Sequence, residues 1–204
     1  KAEVGSQKSE VNFAVEWFEH RLNEARTEVD KLFQDFRLSE ALKTIYSLIW
    51  DDFCSWYLEW VKPGFEQPID TAVYDKTVSF FEQLMQLLHP FMPFISEEIW
   101  QTLPHEGDSI VRQPFPVAQP EWNSHDAEGL FALLDRSVST MRMGRSLLNY
   151  PPAKVLEFHV FGPDMSNPAP LDYLRDHIAH LVRGSVQVHA AWPTQRTLRL
   201  VTDG

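Results

Sequence analysis

The segment Leu87–Trp100, LLHPFMPFISEEIW, constrains the fold most, because two prolines separate two apolar stretches within a short run. Pro90 has no backbone N–H to donate inside a helix, so the apolar helix before it must end there. The residue before a proline is disfavoured in the α region, which predicts that His89 leaves the helical conformation. Pro93 suits the first position of a new helix. The segment therefore predicts a helix–turn–helix corner in an all-α bundle.

Apolar residues recur at steps of three and four over most of the first 150 residues, which indicates amphipathic helices. Short connections between such helices favour an antiparallel bundle. Four prolines predict an extended, helix-poor crossing over residues 104–123. Asp70 or Thr71 is the predicted N-cap of the third helix. The five predicted helices cover residues 10–33, 38–61, 71–88, 93–103 and 124–147.

The periodicity changes after Pro152, where short β-rich runs replace the helical spacing. The predicted order is a strand over 154–161, a helix over 171–182 capped by Gly184, and strands over 185–190 and 197–201. The predicted class is thus mainly α, an antiparallel helical bundle followed by a small α/β subdomain. The predicted parts are a bundle domain over 1–123, a linking fifth helix over 124–152 and the α/β subdomain over 153–204.

The net charge of −11 is distributed unevenly along the chain. Residues 1–103 carry a net charge of −9, residues 104–128 carry −4 and residues 129–204 carry +2. A nucleic-acid ligand needs a local basic footprint, whereas the total charge governs solubility and long-range steering. The basic C-terminal third therefore leaves an RNA-binding role open for an acidic chain.

Other features of the composition exclude whole classes of protein. The single Cys54 excludes an internal disulfide framework and fits a reducing, cytoplasmic setting. No apolar run approaches the ~20 residues that span a bilayer, so no membrane association is expected. The chain starts at Lys1 rather than at a methionine, which suggests a piece of a longer protein.

Three short segments follow one another along the chain: RLN at 21–23, WDDFCSWYLEWVKP at 50–63 and RSLLNYPPAK at 145–154. Together with the proline corner, the first two resemble the anticodon-binding domain of the class I aminoacyl-tRNA synthetases for valine, isoleucine and leucine. The third is similar to the segment that enters the tRNA stem-contact region of the valyl enzymes, which implies a stem-contact-like subdomain over residues 153–204. The aromatic run that ends in Lys62-Pro63 is most similar to the valyl enzymes. The resemblance covers roughly residues 10–160.

The resemblance implies that the partner is a tRNA and that the catalytic steps belong to other parts of a longer enzyme. The valyl enzymes join valine to ATP with magnesium, pass it to the tRNA and edit wrong products, and they carry catalytic, editing and coiled-coil parts outside this sequence. This chain is then expected to recognise the anticodon stem-loop of valine tRNA and to position that tRNA, as part of a cytoplasmic monomer. Neither short nucleotide-site signature of the class is present, so no catalytic residue, bound cofactor or activity is expected in the chain itself. The alternatives are the same domain of an isoleucine enzyme, or a helical protein-interaction module without an RNA role.

The aromatic run supplies the candidates for base stacking, Trp50, Phe53 and Trp56. Most rings of such a helix belong to the core, but these span too broad an arc for complete burial. One or two rings are therefore expected at the surface, where stacking contributes about 1–3 kcal/mol per unpaired base. The sequence does not decide which ring is exposed.

Polar candidates for tRNA contact fall into two groups. Those of the bundle are Arg21, Asn23, Arg37 and Lys62, and those of the fifth helix and its end are Arg136, Arg142, Arg145 and Lys154. The three arginines of the fifth helix are predicted to share an exposed face, where guanidinium groups suit phosphate geometry. The alternative is an ordinary solvated surface, or a structural role for Asn23. No metal site is expected, because His177 and His180 share a helical face without further ligands nearby in sequence.

Overall fold

The computed structural model describes residues 3–63, 66–151, 154–161 and 169–189; of residues 3–12 and 169 it describes the backbone only. The chain divides into two compact units, Lys1–Ser124 and His125–Gly204. The second unit includes the fifth helix, and the predicted division into three parts stays a prediction. No helix in the described part of the chain is long and apolar enough to cross a membrane.

Helix α1, Glu3–Gln34, provides the long element on which the first unit packs. Its 32 residues rise about 48 Å. The apolar residues from Phe13 onward recur at helical spacing and are buried. The ring centroid of Phe18 lies 5.0–5.2 Å from those of Phe53, Tyr57 and Phe80, which come from two other helices. This aromatic cluster forms the centre of the core, and each fully buried ring contributes about 1.5–3 kcal/mol.

The second predicted helix, 38–61, is continuous, but its winding changes along its length. Its three parts are α2 (Leu38–Ser47), a π-helical segment (Leu48–Tyr57) and α3 (Leu58–Val61). In the π-helical segment the hydroxyl of Ser55 also donates to the carbonyl of Trp50, five residues earlier, over 2.8 Å. π-Helical winding is rare and is found frequently at functional sites.

The proline corner forms as predicted, although His89 does not behave as expected. Helix α4, Thr71–Leu88, starts at the N-cap Asp70, and helix α5, Pro93–Trp100, carries its proline in the first turn. The prediction that His89 leaves the α region is wrong, because its φ is −53° and its ψ is −40°. Its amide donates to the carbonyl of Met85 over 2.9 Å, and its Nδ1 lies 2.8 Å from the hydroxyl of Ser96. These contacts outweigh the steric preference before proline.

The proline-rich crossing contains two short 3-10 turns, Ile110–Arg112 and Pro120–Trp122. The ring of Trp122 packs edge-on against Phe80 at 6.1 Å, and the guanidinium of Arg26 lies 4.8 Å from the ring centroid of Trp122. Burial lowers the pKa of Arg26 to about 10. The crossing is thereby attached to both α1 and α4.

The second unit is a β–α–β arrangement preceded by a helix. Its elements are α6 (His125–Leu147), β1 (Leu156–Phe161), α7 (Ala169–Val182) and β2 (Gly184–His189). The strands are parallel, with Leu156 opposite Gly184 and Phe161 opposite His189. The strand predicted over 197–201 lies outside the described residues. The predicted class, a helical bundle followed by a small α/β part, is confirmed.

The predicted role of Gly184 as the cap of α7 is wrong. The left-handed conformation falls one residue earlier, on Arg183, whose φ is 51°. Gly184 instead begins β2, where a Cβ would lie 2.3 Å from the carbonyl oxygen of Leu156 and 3.0 Å from the ring of Phe158. The left-handed conformation therefore falls on an arginine, at a cost of about 1–3 kcal/mol.

Candidate nucleic-acid interface

Trp50 is the predicted stacking residue that the structure leaves at the surface. Its side chain is 59% exposed, and that of Tyr46, one helical turn earlier, is 60% exposed. The two rings are nearly parallel, with an interplanar angle of 11° and centroids 6.4 Å apart. Lys43 is exposed three residues before Tyr46, on the same helical face. We call Lys43, Tyr46 and Trp50 the aromatic face, since exposed rings beside a cation suit single-stranded bases and their phosphates.

Phe53 is wrong as a stacking candidate, because its side chain is only 3% exposed. Its ring centroid lies 5.2 Å from that of Phe18 and 5.8 Å from that of Phe81. An RNA base could reach Phe53 only if the core opened. Trp56 is half-buried, with its ring centroid 5.5 Å from that of Trp60, and it stays a prediction.

The side chain of Arg21 is committed to two carboxylates. Its Nε and Nη2 donate to Asp52 over 3.1 and 3.0 Å, and its Nη1 donates to Glu24 over 2.6 Å. Burial alone would lower the pKa of Arg21, but Asp52 and Glu24 outweigh that effect and raise it. The pair with Asp52 joins α1 to the π-helical segment, so a tRNA phosphate would have to displace an internal partner.

The environment of Asn23 indicates a structural role rather than a contact with RNA. Its side chain is buried, its amide donates to the side-chain oxygen of Asn123 over 2.6 Å, and its own oxygen accepts from the backbone amide of Gln119. These bonds fasten the end of the proline-rich crossing to α1. A direct contact between Asn23 and RNA would require both bonds to break.

Arg37 and Lys62 are exposed at opposite ends of the helical stretch 38–61. Each pairs with a carboxylate three residues away, Arg37 with Glu40 and Lys62 with Glu59. Exposed pairs of this kind contribute only about 0–1 kcal/mol. Either cation can therefore exchange its carboxylate for a phosphate at little cost, and both stay predictions.

The prediction that Arg145 lies on an exposed basic face is wrong. Only 9% of the residue is exposed, and its guanidinium donates to the carbonyls of Pro151, Lys154 and Val182 over 3.1, 2.7 and 2.7 Å. The last carbonyls of a helix lack partners within that helix. Arg145 supplies partners for the end of α7 and for the turn after α6, so it cannot act as a solvated phosphate clamp.

The other basic candidates of the second unit are exposed. Arg136 and Arg142 lie on α6, and Nη2 of Arg142 donates to the carbonyl of Leu181 over 3.2 Å. The ammonium of Lys154 lies 4.1 Å from the ring centroid of Tyr150. All three cations remain available to a phosphate, and their contact with tRNA stays a prediction.

The two histidines of α7 differ in environment. His177 is buried, and burial lowers its pKa to about 4, whereas His180 is exposed. A core position explains His177 without a ligand. The expected lack of a metal site in this chain stays a prediction.

Sequence reasoning missed Tyr46 and Lys43 of the aromatic face. The available signal was their spacing, because Tyr46 precedes Trp50 by four residues and Lys43 precedes it by seven. The aromatic run that begins at Trp50 is denser, and the apolar residues before it indicate a core helix.

The family model for the anticodon-binding domain of tRNA ligases matches residues 15–160. The valine–tRNA ligase of Porphyromonas gingivalis is 53% identical over 120 residues, which cover 58% of this chain and 14% of that protein. That of Parabacteroides distasonis is 46% identical over 154 residues, covering 73% of this chain and 17% of that protein. That of Geobacillus kaustophilus is 38% identical over 154 residues, covering 74% of this chain and 18% of that protein. The chain thus spans less than a fifth of the length of these curated relatives.

Proposed function

The chain belongs to the family of anticodon-binding domains of tRNA ligases, and on this premise we propose that it is the tRNA-recognising part of a valine–tRNA ligase. The observation that carries the proposal is the identity of 38–53% to valine–tRNA ligases over 120–154 residues, together with the family-model match over residues 15–160. In this role the chain holds the anticodon stem-loop of valine tRNA and positions that tRNA.

The chemistry belongs to the full-length enzyme, which joins valine to its tRNA with ATP and magnesium and edits wrong products. It works as a monomer in the cytoplasm. This part contributes binding and orientation, which lower the barrier for groups located elsewhere. The 204-residue chain alone is expected to give no valine-dependent pyrophosphate exchange. Turnover above a control without protein would contradict this division of labour.

The aromatic face provides the contact to the loop. Sequence-specific RNA recognition targets unpaired bases, which stack on exposed aromatic side chains. A loop base on Trp50 gains about 1–3 kcal/mol, and the parallel ring of Tyr46 supports Trp50 from one side. Lys43, Arg37 and Lys62 provide cations along the same helical stretch for the neighbouring phosphates.

A titration of labelled valine tRNA tests this function. We expect selective binding over an unrelated hairpin, and weaker binding at about 200 mM than at about 50 mM salt, because phosphate contacts release counterions. Trp50→Ala should lower the affinity about tenfold through the lost stacking. Tyr74→Ala is the matched control, since Tyr74 is 47% exposed on α4 outside the aromatic face, and it should leave the affinity unchanged.

Other outcomes would favour the alternatives. Equal binding of the hairpin, or binding that salt does not affect, would remove the tRNA role. Dimerisation that salt does not affect would favour a protein-interaction module, whose contact would use the exposed apolar side chains Phe36 and Phe94. Preference for isoleucine tRNA would assign the chain to an isoleucine enzyme.

A further inference from the structure

A cleft of about 600 Å³ opens in the second unit beside the C-terminal ends of α6 and α7. Five of its lining residues are exposed and carry hydrogen-bond donors: Arg142, Ser146, Asn149, Tyr150 and Arg183. Among the described residues that line the cleft there is no Asp or Glu. Guanidinium, hydroxyl and amide groups therefore surround one space without a competing carboxylate.

Positive charge is concentrated at this cleft. The second unit contains eight Lys and Arg against eight Asp and Glu, whereas the first contains 10 against 21. Four of the eight cations lie in the cleft or are tied to its wall: Arg142, Arg145, Lys154 and Arg183. The neutral second unit thus has a basic patch, which is the electrostatic footprint of an anionic partner.

The helix ends beside the cleft would by themselves repel an anion, because a helix carries partial negative charge at its C-terminus. Arg145 offsets this charge from within, since it donates to the carbonyls of Val182 and Arg183. Arg142 donates one of its five N–H groups to the carbonyl of Leu181, and among the described residues the other four have no acceptor. Arg183 adds a further exposed guanidinium.

Of the four non-glycine residues with positive φ in the described part of the chain, two lie at this cleft and two, Phe36 and Glu66, lie in the first unit. Asn149 and Arg183 have φ values of 52° and 51°, and both line the cleft. Asparagine tolerates this left-handed conformation, but arginine seldom adopts it. An arginine is present where glycine or asparagine would fit with less strain. Such strain is typical of residues held for a functional contact.

We propose that this cleft binds a phosphodiester group of the RNA backbone, with Arg142 and Arg183 as its charged contacts and Asn149 and Tyr150 as neutral donors. Planar guanidinium groups match the geometry of phosphate oxygens. The inference rests on the proposed function, because the RNA supplies the phosphate. It adds a contact in the second unit, apart from the aromatic face.

Arg183→Gly is the decisive variant, because it removes the cation and relieves the strain together. We expect a rise of about 2–4 °C in melting temperature, with an affinity for labelled valine tRNA about tenfold lower. The slope of log affinity against log salt should flatten by ~0.7–0.9, as for one lost phosphate contact. Arg183→Asn tolerates the same φ without charge and should reproduce the loss of binding. Arg175→Ala is the control, since Arg175 is exposed on α7 and pairs with Asp176, and it should leave affinity and slope unchanged.

The outcomes separate this inference from the proposed function. If the unaltered chain does not bind valine tRNA, the proposed function fails. If it binds, and Arg183→Gly and Arg183→Asn bind equally well with an unchanged slope, the cleft is structural and only this inference is overturned. Trp50→Ala should lower the affinity while retaining the slope, so the two contacts are distinguishable in one data set.

Discussion

Replacing Arg145 with alanine tests the structural role of the buried guanidinium in the second unit. The side chain donates to four backbone carbonyls, over 2.7 Å to Lys154 and to Val182, 3.1 Å to Pro151 and 3.4 Å to Arg183. Alanine leaves all four carbonyls without this donor. The end of α7 and the turn after α6 then lose the hydrogen bonds through which Arg145 connects them.

The expected loss follows from the two short bonds. A hydrogen bond to a charged group contributes about 1.5–3 kcal/mol, so two of them contribute about 3–6 kcal/mol. Part of this gain is offset by the free energy needed to remove the guanidinium from water on folding. We therefore expect Arg145→Ala to lower the free energy of unfolding of the second unit by roughly 3–4 kcal/mol.

Urea titration followed by circular dichroism measures this change. Arg142→Ala is the control from the same helix, because Arg142 is exposed and makes one bond of 3.2 Å; it should cost less than about 1 kcal/mol. Arg145→Lys retains the charge but cannot span all four carbonyls, so its loss should lie between the two. A loss below about 1 kcal/mol for Arg145→Ala would refute the structural role and return the residue to a solvated surface.

Three further changes test other parts of the fold. Asn23→Ala should cost roughly 2 kcal/mol in urea unfolding, because the amide of Gln119 loses its acceptor. Gly184→Ala should cost roughly 1–3 kcal/mol by the same assay, since its Cβ would lie 2.3 Å from the carbonyl oxygen of Leu156. Burial lowers the pKa of His177 to about 4, below its unfolded value of about 6.5. The free energy of unfolding should therefore be unaffected by this group above pH ~6.5 and fall by roughly 1–2 kcal/mol on acidification to pH ~5, a dependence that His177→Phe should remove.

Much of the architecture could be predicted because its causes are local. The apolar periodicity that defines α1 and α6, and the proline that starts α5, act within a few residues of one another. The predicted start at Asp70 holds because its carboxylate accepts from amides only two and three residues later. The resemblance to synthetases also depends on short segments that can be read directly.

The errors concern side chains whose environment depends on distant partners. Arg145 turns inward because it reaches the carbonyl of Val182, 37 residues later in the chain. Phe53 and Trp50 belong to the same aromatic run, but contact with Phe18 of α1 places Phe53 in the core. Gly184 lies in the sheet, where the backbone of β1 leaves no room for a Cβ. Helical periodicity carries no information about these contacts.

A net charge of −11 is compatible with an RNA ligand, because the effect of each charge depends on its distance from the RNA contact. At physiological salt, exposed charges are screened beyond about 8 Å, so the groups nearest to each contact decide it. Stacking on Trp50 depends little on charge, whereas a phosphate at Arg183 meets cations without a carboxylate among the residues that line the cleft. The acidic remainder disfavours nonspecific association with nucleic acid. If both proposed contacts exist, an RNA that supplies an unpaired base to Trp50 and a phosphate to Arg183 gains both, whereas other RNAs meet the acidic remainder without that gain.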